Sequence, residues 1–269
     1  MKRYIRPYHI IFVVIFLLNC LGYVRKQRVP RMVRVAIVCG AESIRIKEAD
    51  ASQTEEILIN HRFPMYYRGG VYVNGRKYRG TVVLKKIGGK LWAINVLKIE
   101  DYLKGVVPAE LGKITPNLLA AAKAQAVAAR TYTYAHLNNY QELGFDLYAT
   151  VQDQVYLGES GEDSLINIAI EQTRGEILVY HNKPIEAKYH STCGGRTADF
   201  NDAWPGPAPP YLRSVRCPYC SKSPHFRWQK TYLTKERRKF DNRRQGVRSW
   251  CRDVSIWRPG NGTPGQKLP

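Results

Sequence analysis

The segment LLAAAKAQAVAARTYTYAHL, residues 118–137, decides the fold, because it is the longest run in the chain that is rich in strong helix formers. Thr115 and Pro116 lie just before it. Threonine is favourable at a helix N-cap, and proline suits the first helical position. The sequence therefore predicts a long helix that begins near residue 118.

Towards the N-terminus, short runs of alternating or β-branched residues predict strands. The dipeptides Asn74-Gly75 and Gly88-Gly89 separate pairs of these runs, and their residues tolerate the positive φ of tight hairpin turns. This part of the chain is predicted to be a β meander. Its predicted strands are 33–38, 43–46, 71–73, 81–84 and 91–96.

Towards the C-terminus, a second helix is predicted from Asp163 to Thr173, where apolar residues recur at helical spacing and Gly175 follows. Strands are predicted again over 176–180 and 185–189. The predicted fold class is α+β, with an N-terminal β meander, a central helical segment around the cleft, further strands and an irregular basic C-terminal tail.

The charge balance predicts an acidic partner, because 42 Lys and Arg oppose 22 Asp and Glu in 269 residues, a formal charge of +20. The sequence contains no zinc-finger spacing, basic heptad region or aromatic ribonucleoprotein signature, so no nucleic-acid partner is predicted. Anionic wall polymers or lipid headgroups are favoured instead. A nucleic-acid binder built on charge alone is an alternative, and much of the excess lies between Lys235 and Arg252.

Residues 1–24 are typical of a signal peptide or membrane anchor. A basic start at Lys2 and Arg3 precedes an apolar run over 10–18, which is shorter than the roughly 20 residues of a spanning helix. The residues before Cys20 also resemble a lipoprotein-processing site. The alternatives are a later cleavage site and an uncleaved anchor. The protein is predicted to be exported to the cell envelope, as a membrane-associated or secreted protein.

Glu110 is the first candidate for catalysis. It follows an apolar run closed by Pro108-Ala109, so its carboxyl is expected to enter a partly desolvated pocket. Burial raises the pKa of a carboxyl towards values useful for general acid catalysis. The alternative is a surface glutamate in a loop or in the first turn of a helix.

Lys123 and Arg130 form a second candidate set, because they are seven positions apart and share one face of the predicted helix. Two cations on one face can orient a carboxylate or bind an anionic sugar substituent. The alternative is the solvated stripe of an amphipathic helix.

The third set is His190, Cys193, Cys217 and Cys220, with His225 nearby. The His-x-x-Cys and Cys-x-x-Cys pairs are typical of a tetrahedral zinc site. Two alternatives stay open: a disulfide, which an exported compartment permits, and ordinary buried thiols. A nucleophilic role for Cys193 is disfavoured, because no acyl-transfer signature surrounds it.

Four segments, taken in order, resemble the stage II sporulation protein D family, which includes amidase enhancer proteins. The resemblance extends over roughly residues 33–228. The matching segments are residues 100–110, 119–132, 153–158 and 190–195.

The resemblance implies a lytic transglycosylase that acts on peptidoglycan glycan strands stripped of their peptides, in cell-wall remodelling or sporulation. Glu110 is implied as the acid and base, and Lys123 and Arg130 as contacts of the muramic lactyl carboxylate. No cofactor is required for catalysis, and zinc at the His190 and cysteine set is implied for some members. The implied cleft-lining residues are Gln125, Tyr132 and Gln154.

The resemblance also implies a family domain over residues 33–232, followed by a basic tail over 233–269 that is predicted to be disordered or truncated. Family members continue with further strands where this chain becomes rich in arginine, so part of the sheet is expected to lack partners. The alternative function is a non-catalytic wall-binding protein that activates an N-acetylmuramoyl-L-alanine amidase. A cell-wall amidase is then the implied protein partner.

Overall fold

The computed structural model describes residues 23–26, 31–223 and 225–227. The predicted signal segment therefore lies outside the described residues except for its last two positions, and the predicted tail over 233–269 lies wholly outside them. Within the described residues, no helix has both the length and the apolar character that crossing a bilayer requires.

The described residues form an α+β fold, as predicted. The chain divides into two compact units, and the boundary falls between Lys188 and Tyr189. The strands of the first unit are β1 (Tyr23–Lys26), β2 (Met32–Ala41), β3 (Ser43–Lys47), β4 (Glu55–Leu58), β5 (Met65–Arg68), β6 (Val71–Val73), β7 (Arg76–Tyr78), β8 (Thr81–Ile87), β9 (Lys90–Lys98), β10 (Leu147–Tyr148), β11 (Glu176–Tyr180) and β12 (Lys183–Pro184). The α-helices are α1 (Ile99–Leu111), α2 (Leu119–Ala135), α3 (Ser164–Gln172) and, in the second unit, α4 (Phe200–Ala203).

The strands of the first unit form three sheets, in the orders β10-β2-β9-β8-β5, β4-β3-β6-β7 and β1-β11-β12. Both predicted hairpins are confirmed. Val73 pairs with Arg76 and Ile87 pairs with Lys90, so each loop has two residues. All four loop residues have positive φ, as a type I′ turn requires.

The long central helix is confirmed as α2, and the second predicted helix is confirmed as α3 with Asp163 as its N-cap, whose side chain accepts a hydrogen bond from the Ile166 N–H. The sequence predicts no helix before residue 118, but residues 99–111 form α1. Ile99, Leu103 and Val106 are buried at helical spacing, and that pattern outweighs Pro108 in the last turn.

The predicted strand over 185–189 is also wrong. The pairing with β11 ends at Pro184, after a turn in which His181 and Asn182 have positive φ. The Ile185 N–H still donates to the Leu178 carbonyl of β11, but the N–H groups of Ala187 and Lys188 bond locally, to the carbonyls of Ile185 and Glu186. Those short-range bonds replace the ladder that a strand requires.

A buried ion pair joins the helices of the first unit. The Arg130 guanidinium, whose side chain has no exposed surface, donates to both oxygens of Glu100 at 3.0 and 2.8 Å. Its other hydrogens reach the carbonyls of Ile170 and Glu176, and the Gly175 N–H donates to Glu100 at 3.1 Å. The pair therefore connects α1, α2, the end of α3 and the start of β11.

Replacing Arg130 with methionine should lower the free energy of unfolding by about 3–5 kcal/mol, because Glu100 would remain buried without its counter-ion. The matched control is Arg174→Met, which breaks the exposed Arg174–Glu171 pair and should cost less than about 1 kcal/mol. Urea unfolding of the two variants measures the difference. Equal losses would contradict a structural role for the buried pair.

Candidate active site

Glu110 lies in the last turn of α1 and is half-buried. Its Oε1 accepts a hydrogen bond from the Val155 backbone N–H at 2.9 Å. Burial raises the pKa of the Glu110 carboxyl above its usual value, and the N–H of Val155 opposes that rise because it favours the ionised form. Burial therefore favours the protonated form of Glu110, and the Val155 N–H stabilises its ionised form.

The segment that supplies this N–H also carries Gln154, which is fully buried between α1 and α2. Asp153 precedes it and accepts hydrogen bonds from the Tyr132 hydroxyl at 3.0 Å and from the Tyr148 N–H at 2.9 Å. Burial raises the pKa of Asp153, and both hydrogen bonds oppose the rise. Glu110, Tyr132 and Gln154 are thus connected through a single stretch of chain.

The predicted residues of α2 fall on two different sides of the helix. Lys123 and Arg130 are seven residues apart and share one side, and Gln125 and Tyr132 share another in the same way. The offset of two residues turns the helix by about 200°, so the two pairs point in nearly opposite directions. Tyr132 is on the side of Asp153 and hence of the Glu110 segment.

The structure corrects the predicted role of Arg130 as a contact of the substrate. Its side chain has no exposed surface and its guanidinium is bonded to Glu100 and to backbone carbonyls, so it is placed to hold the fold together rather than to meet a ligand. Lys123 lies on the same side of α2 and is half-buried. The structure therefore assigns Arg130 to the buried pair with Glu100 and not to the candidate site.

Gln125 and Tyr132 fit the predicted cleft better. The Nε2 of Gln125 is buried and has no hydrogen-bond partner within the described part of the chain. Tyr132 is 8% exposed and stacks on His136 with ring centroids 3.9 Å apart. Lys188 lies over the Tyr132 ring, with its Nζ 5.5 Å from the ring centroid. Lys188 was not identified from the sequence as a candidate site residue.

In the second unit, the structure brings three of the four predicted metal ligands together. The Sγ atoms of Cys193, Cys217 and Cys220 lie within 4.8 Å of one another, and the nearest pair is 3.3 Å apart. Two thiolates on one tetrahedral zinc are about 3.8 Å apart, whereas a disulfide needs about 2 Å. Three soft donors at this separation fit a zinc ion.

The thiols have different environments. Burial raises the pKa of Cys193 to about 11, whereas a backbone N–H bond from Tyr219 lowers the pKa of Cys217. His190 is exposed, and its ring nitrogens do not belong to the group of ligand atoms formed by the three thiols. Among the described residues, the fourth ligand position is not filled by any His, Cys, Asp or Glu side chain.

Sequence reasoning missed the donor that matters most at Glu110, because Val155 contributes only its backbone. No side-chain type signals such a role. The spacing of buried apolar residues in α1 was a usable signal for the helix that carries Glu110.

Comparison with known proteins identifies the relatives of this chain. Residues 87–180 match the family model described as Stage II sporulation protein. The chain is 34% identical to stage II sporulation protein D of Bacillus subtilis over 160 residues, which is 54% of this chain and 46% of that protein. It is 35% identical to an amidase enhancer of Bacillus subtilis over 163 residues, 60% of this chain and 21% of that protein.

An uncharacterized protein of Brachyspira hyodysenteriae is 40% identical over 153 residues, which is 56% of this chain and 41% of that protein. The chain thus spans less than half the length of the curated relatives it matches. The family resemblance predicted from the sequence is confirmed, and the family segment includes α1 with Glu110, α2 and the segment that contains Val155.

Replacing Glu110 with glutamine should make the protein more stable at about pH 8 and leave its stability nearly unchanged at about pH 4. The raised pKa of Glu110 means that its protonated form favours folding, and this contribution is lost as the pH rises through the folded pKa. Glutamine keeps an acceptor for Val155 and never carries the charge.

Urea unfolding at the two pH values measures the effect. The control is Glu142→Gln at an exposed position, which should show no change between them. A variant Glu110→Gln that is less stable than wild type at pH 8 would contradict the burial cost of the ionised carboxylate.

Proposed function

We propose that this chain, through its stage II sporulation protein segment, is a lytic transglycosylase that cleaves peptidoglycan glycan strands stripped of their stem peptides. The observation that carries the proposal is Glu110, a half-buried carboxyl with a raised pKa that faces one fixed backbone donor. Cell-wall remodelling, including sporulation, is the process that its named relatives support.

A single carboxyl is sufficient for this reaction. Protonated Glu110 gives its proton to the glycosidic oxygen as the bond from that oxygen to the muramic C1 breaks. The resulting carboxylate then takes the proton of the same sugar's primary hydroxyl while that oxygen bonds to C1, which forms an anhydro end. Glu110 is protonated again, and no water is consumed.

The surroundings of Glu110 suit both halves of this cycle. Burial favours the protonated acid that the first half requires, and the Val155 N–H stabilises the carboxylate that acts as the base in the second half. Gln125 and Tyr132 lie on the side of α2 that faces this segment and are the proposed contacts of the glycan.

The second candidate function is the activation of a cell-wall amidase without catalysis by this chain. The observation that favours it is the 35% identity to a protein named amidase enhancer. In that case the chain binds the wall and its amidase partner, and Glu110 is not required. Export and attachment through residues 1–24 are proposed for either function.

Wild-type protein should release anhydro-ended products from peptide-free glycan strands and much less from intact peptidoglycan, as measured by mass spectrometry. Glu110→Gln should lower the rate at least about 100-fold, because glutamine cannot transfer the proton. The rate should also fall as the pH rises through the raised pKa of Glu110, because the acid form is lost.

Glu142→Gln is the control for an exposed carboxyl and should keep wild-type activity. If wild type forms no anhydro product, the transglycosylase proposal fails. Stimulation of a purified cell-wall amidase that persists in Glu110→Gln would then establish the second function.

We also propose that Cys193, Cys217 and Cys220 hold a zinc ion that stabilises the second unit. Elemental analysis of purified protein should find about one zinc per chain, and the double variant Cys193→Ser/Cys220→Ser should contain none. Cys39→Ser, at an exposed cysteine of β2, is the control and should keep the metal. Oxidised cysteine pairs in metal-free wild type would contradict this site and establish a disulfide.

A further inference from the structure

The segment Asp153–Tyr156 crosses the first unit between α1, α2 and the five-stranded sheet, and each of its residues is anchored differently. Asp153 accepts the Tyr132 hydroxyl, and Tyr156 donates its hydroxyl to Asn95 Oδ1 of β9 at 3.0 Å. Between these two ends lies the peptide bond that points its N–H at Glu110.

Gln154 makes three side-chain hydrogen bonds to the two neighbouring helices. Its Oε1 accepts the hydroxyls of Tyr102 at 3.3 Å and Thr133 at 3.0 Å, and its Nε2 donates to the Ala129 carbonyl at 3.3 Å. Tyr102 belongs to α1, and the other two residues belong to α2. A fully buried amide with partners on two helices has little freedom to move.

Geometry links this amide to Glu110 directly. The Val155 nitrogen belongs to the same planar peptide unit as the Gln154 Cα and carbonyl carbon. Holding the Gln154 Cα therefore restrains the position of this peptide unit and leaves only rotation about the Gln154 Cα–C bond, and its N–H reaches Glu110 Oε1 at 2.9 Å. Val155 itself contributes no side-chain hydrogen bond to this arrangement.

The segment packs directly against the backbone of α1. Gly105 lies on α1 where a Cβ atom would be 2.6 Å from the Tyr156 ring and 2.7 Å from the Gly158 carbonyl oxygen. The Leu157 N–H donates to the Gly105 carbonyl at 3.2 Å. The segment thus rests on the backbone of the helix that carries Glu110.

We propose that Gln154 is a positioning residue, which holds the Gln154–Val155 peptide so that its N–H orients and stabilises the ionised carboxylate of Glu110. Its importance for catalysis rests on the function proposed above. Its effect on the Glu110 carboxyl is a property of the folded protein and exists with or without turnover. Gln154 is therefore assigned to the support of the acid and base rather than to the lining of the cleft.

The proposal is tested with the pair Tyr102→Phe and Tyr156→Phe in the full chain. Both variants remove one buried tyrosine hydroxyl bond next to the segment, but only Tyr102 bonds Gln154. Gln154→Met is the third variant, because methionine has a similar length and offers no strong hydrogen-bonding group. Side-chain carboxyl NMR follows the titration of Glu110, and urea unfolding measures the stability of each variant.

Gln154→Met and Tyr102→Phe should raise the titration midpoint of Glu110, since a weaker Val155 N–H bond disfavours the ionised form. The Val155 amide signal should respond less to that titration. Tyr156→Phe should lose stability as Tyr102→Phe does, yet titrate like wild type. In the turnover assay, Gln154→Met should lower kcat about tenfold with KM within about twofold and should shift the pH profile upwards.

A wild-type titration of Glu110 in a folded Gln154→Met variant would overturn the proposal. If that variant does not fold, the tyrosine pair decides, and equal midpoints in Tyr102→Phe and Tyr156→Phe would overturn it. The NMR titration needs no substrate, so it distinguishes a failure of this proposal from a failure of the transglycosylase function.

Discussion

The buried pair of Arg130 and Glu100 is the interaction on which the rest of the first unit depends. Removing two charges from water costs several kcal/mol for each ion, and this cost is offset only where the geometry is good and the remaining polar atoms are bonded. Here the guanidinium has two carboxylate oxygens and several carbonyls, and the carboxylate has a further backbone N–H. The arrangement requires α1, α2, the end of α3 and β11 to meet at one place.

This requirement also explains how one helix carries two glutamates with different properties. Glu100, in the first turn of α1, is compensated by a full positive charge. Glu110, in the last turn of the same helix, accepts a hydrogen bond from a neutral backbone N–H, and no cation pairs with it in the described part of the chain. Proteins commonly give two carboxyls different roles by placing them in different environments. The first holds the helix in place, and burial raises the pKa of the second.

Much of the fold was predictable from sequence, because the decisive signals are local. The glycine-containing hairpins and the alanine-rich helix α2 depend on residue preferences that act within a few positions. The placement of Arg130 was not predictable, because a cation on a helix looks the same in sequence whether it faces solvent or a buried carboxylate 30 residues away. The donor at Val155 was hidden for a different reason, since every residue except proline has an N–H.

The candidate site shows the same limit. Glu110, Tyr132 and Gln154 lie in one region, but the two-residue offset between Lys123 and Gln125 places the predicted residues of α2 on opposite sides of the helix. In the second unit, the cysteine spacing correctly identified three thiols that lie together, whereas His190 is not among them. Spacing along the chain identifies two ligands that are close together in the sequence. It gives little information about a ligand from a distant part of the chain.

The pairing of β1 with β11 has a consequence for the order of folding. The Tyr23 hydroxyl donates a hydrogen bond to Asn182, which is 159 residues later in the chain. All four residues of β1 pair with residues of β11. Contacts of such long range form slowly, because a large loop must close before they contribute. During synthesis, β11 emerges after α1 and α2. Until β1 pairs with it, β11 exposes an unpaired edge to which other chains can add a strand. Assembly of the first unit is therefore most vulnerable to aggregation just before its last sheet closes.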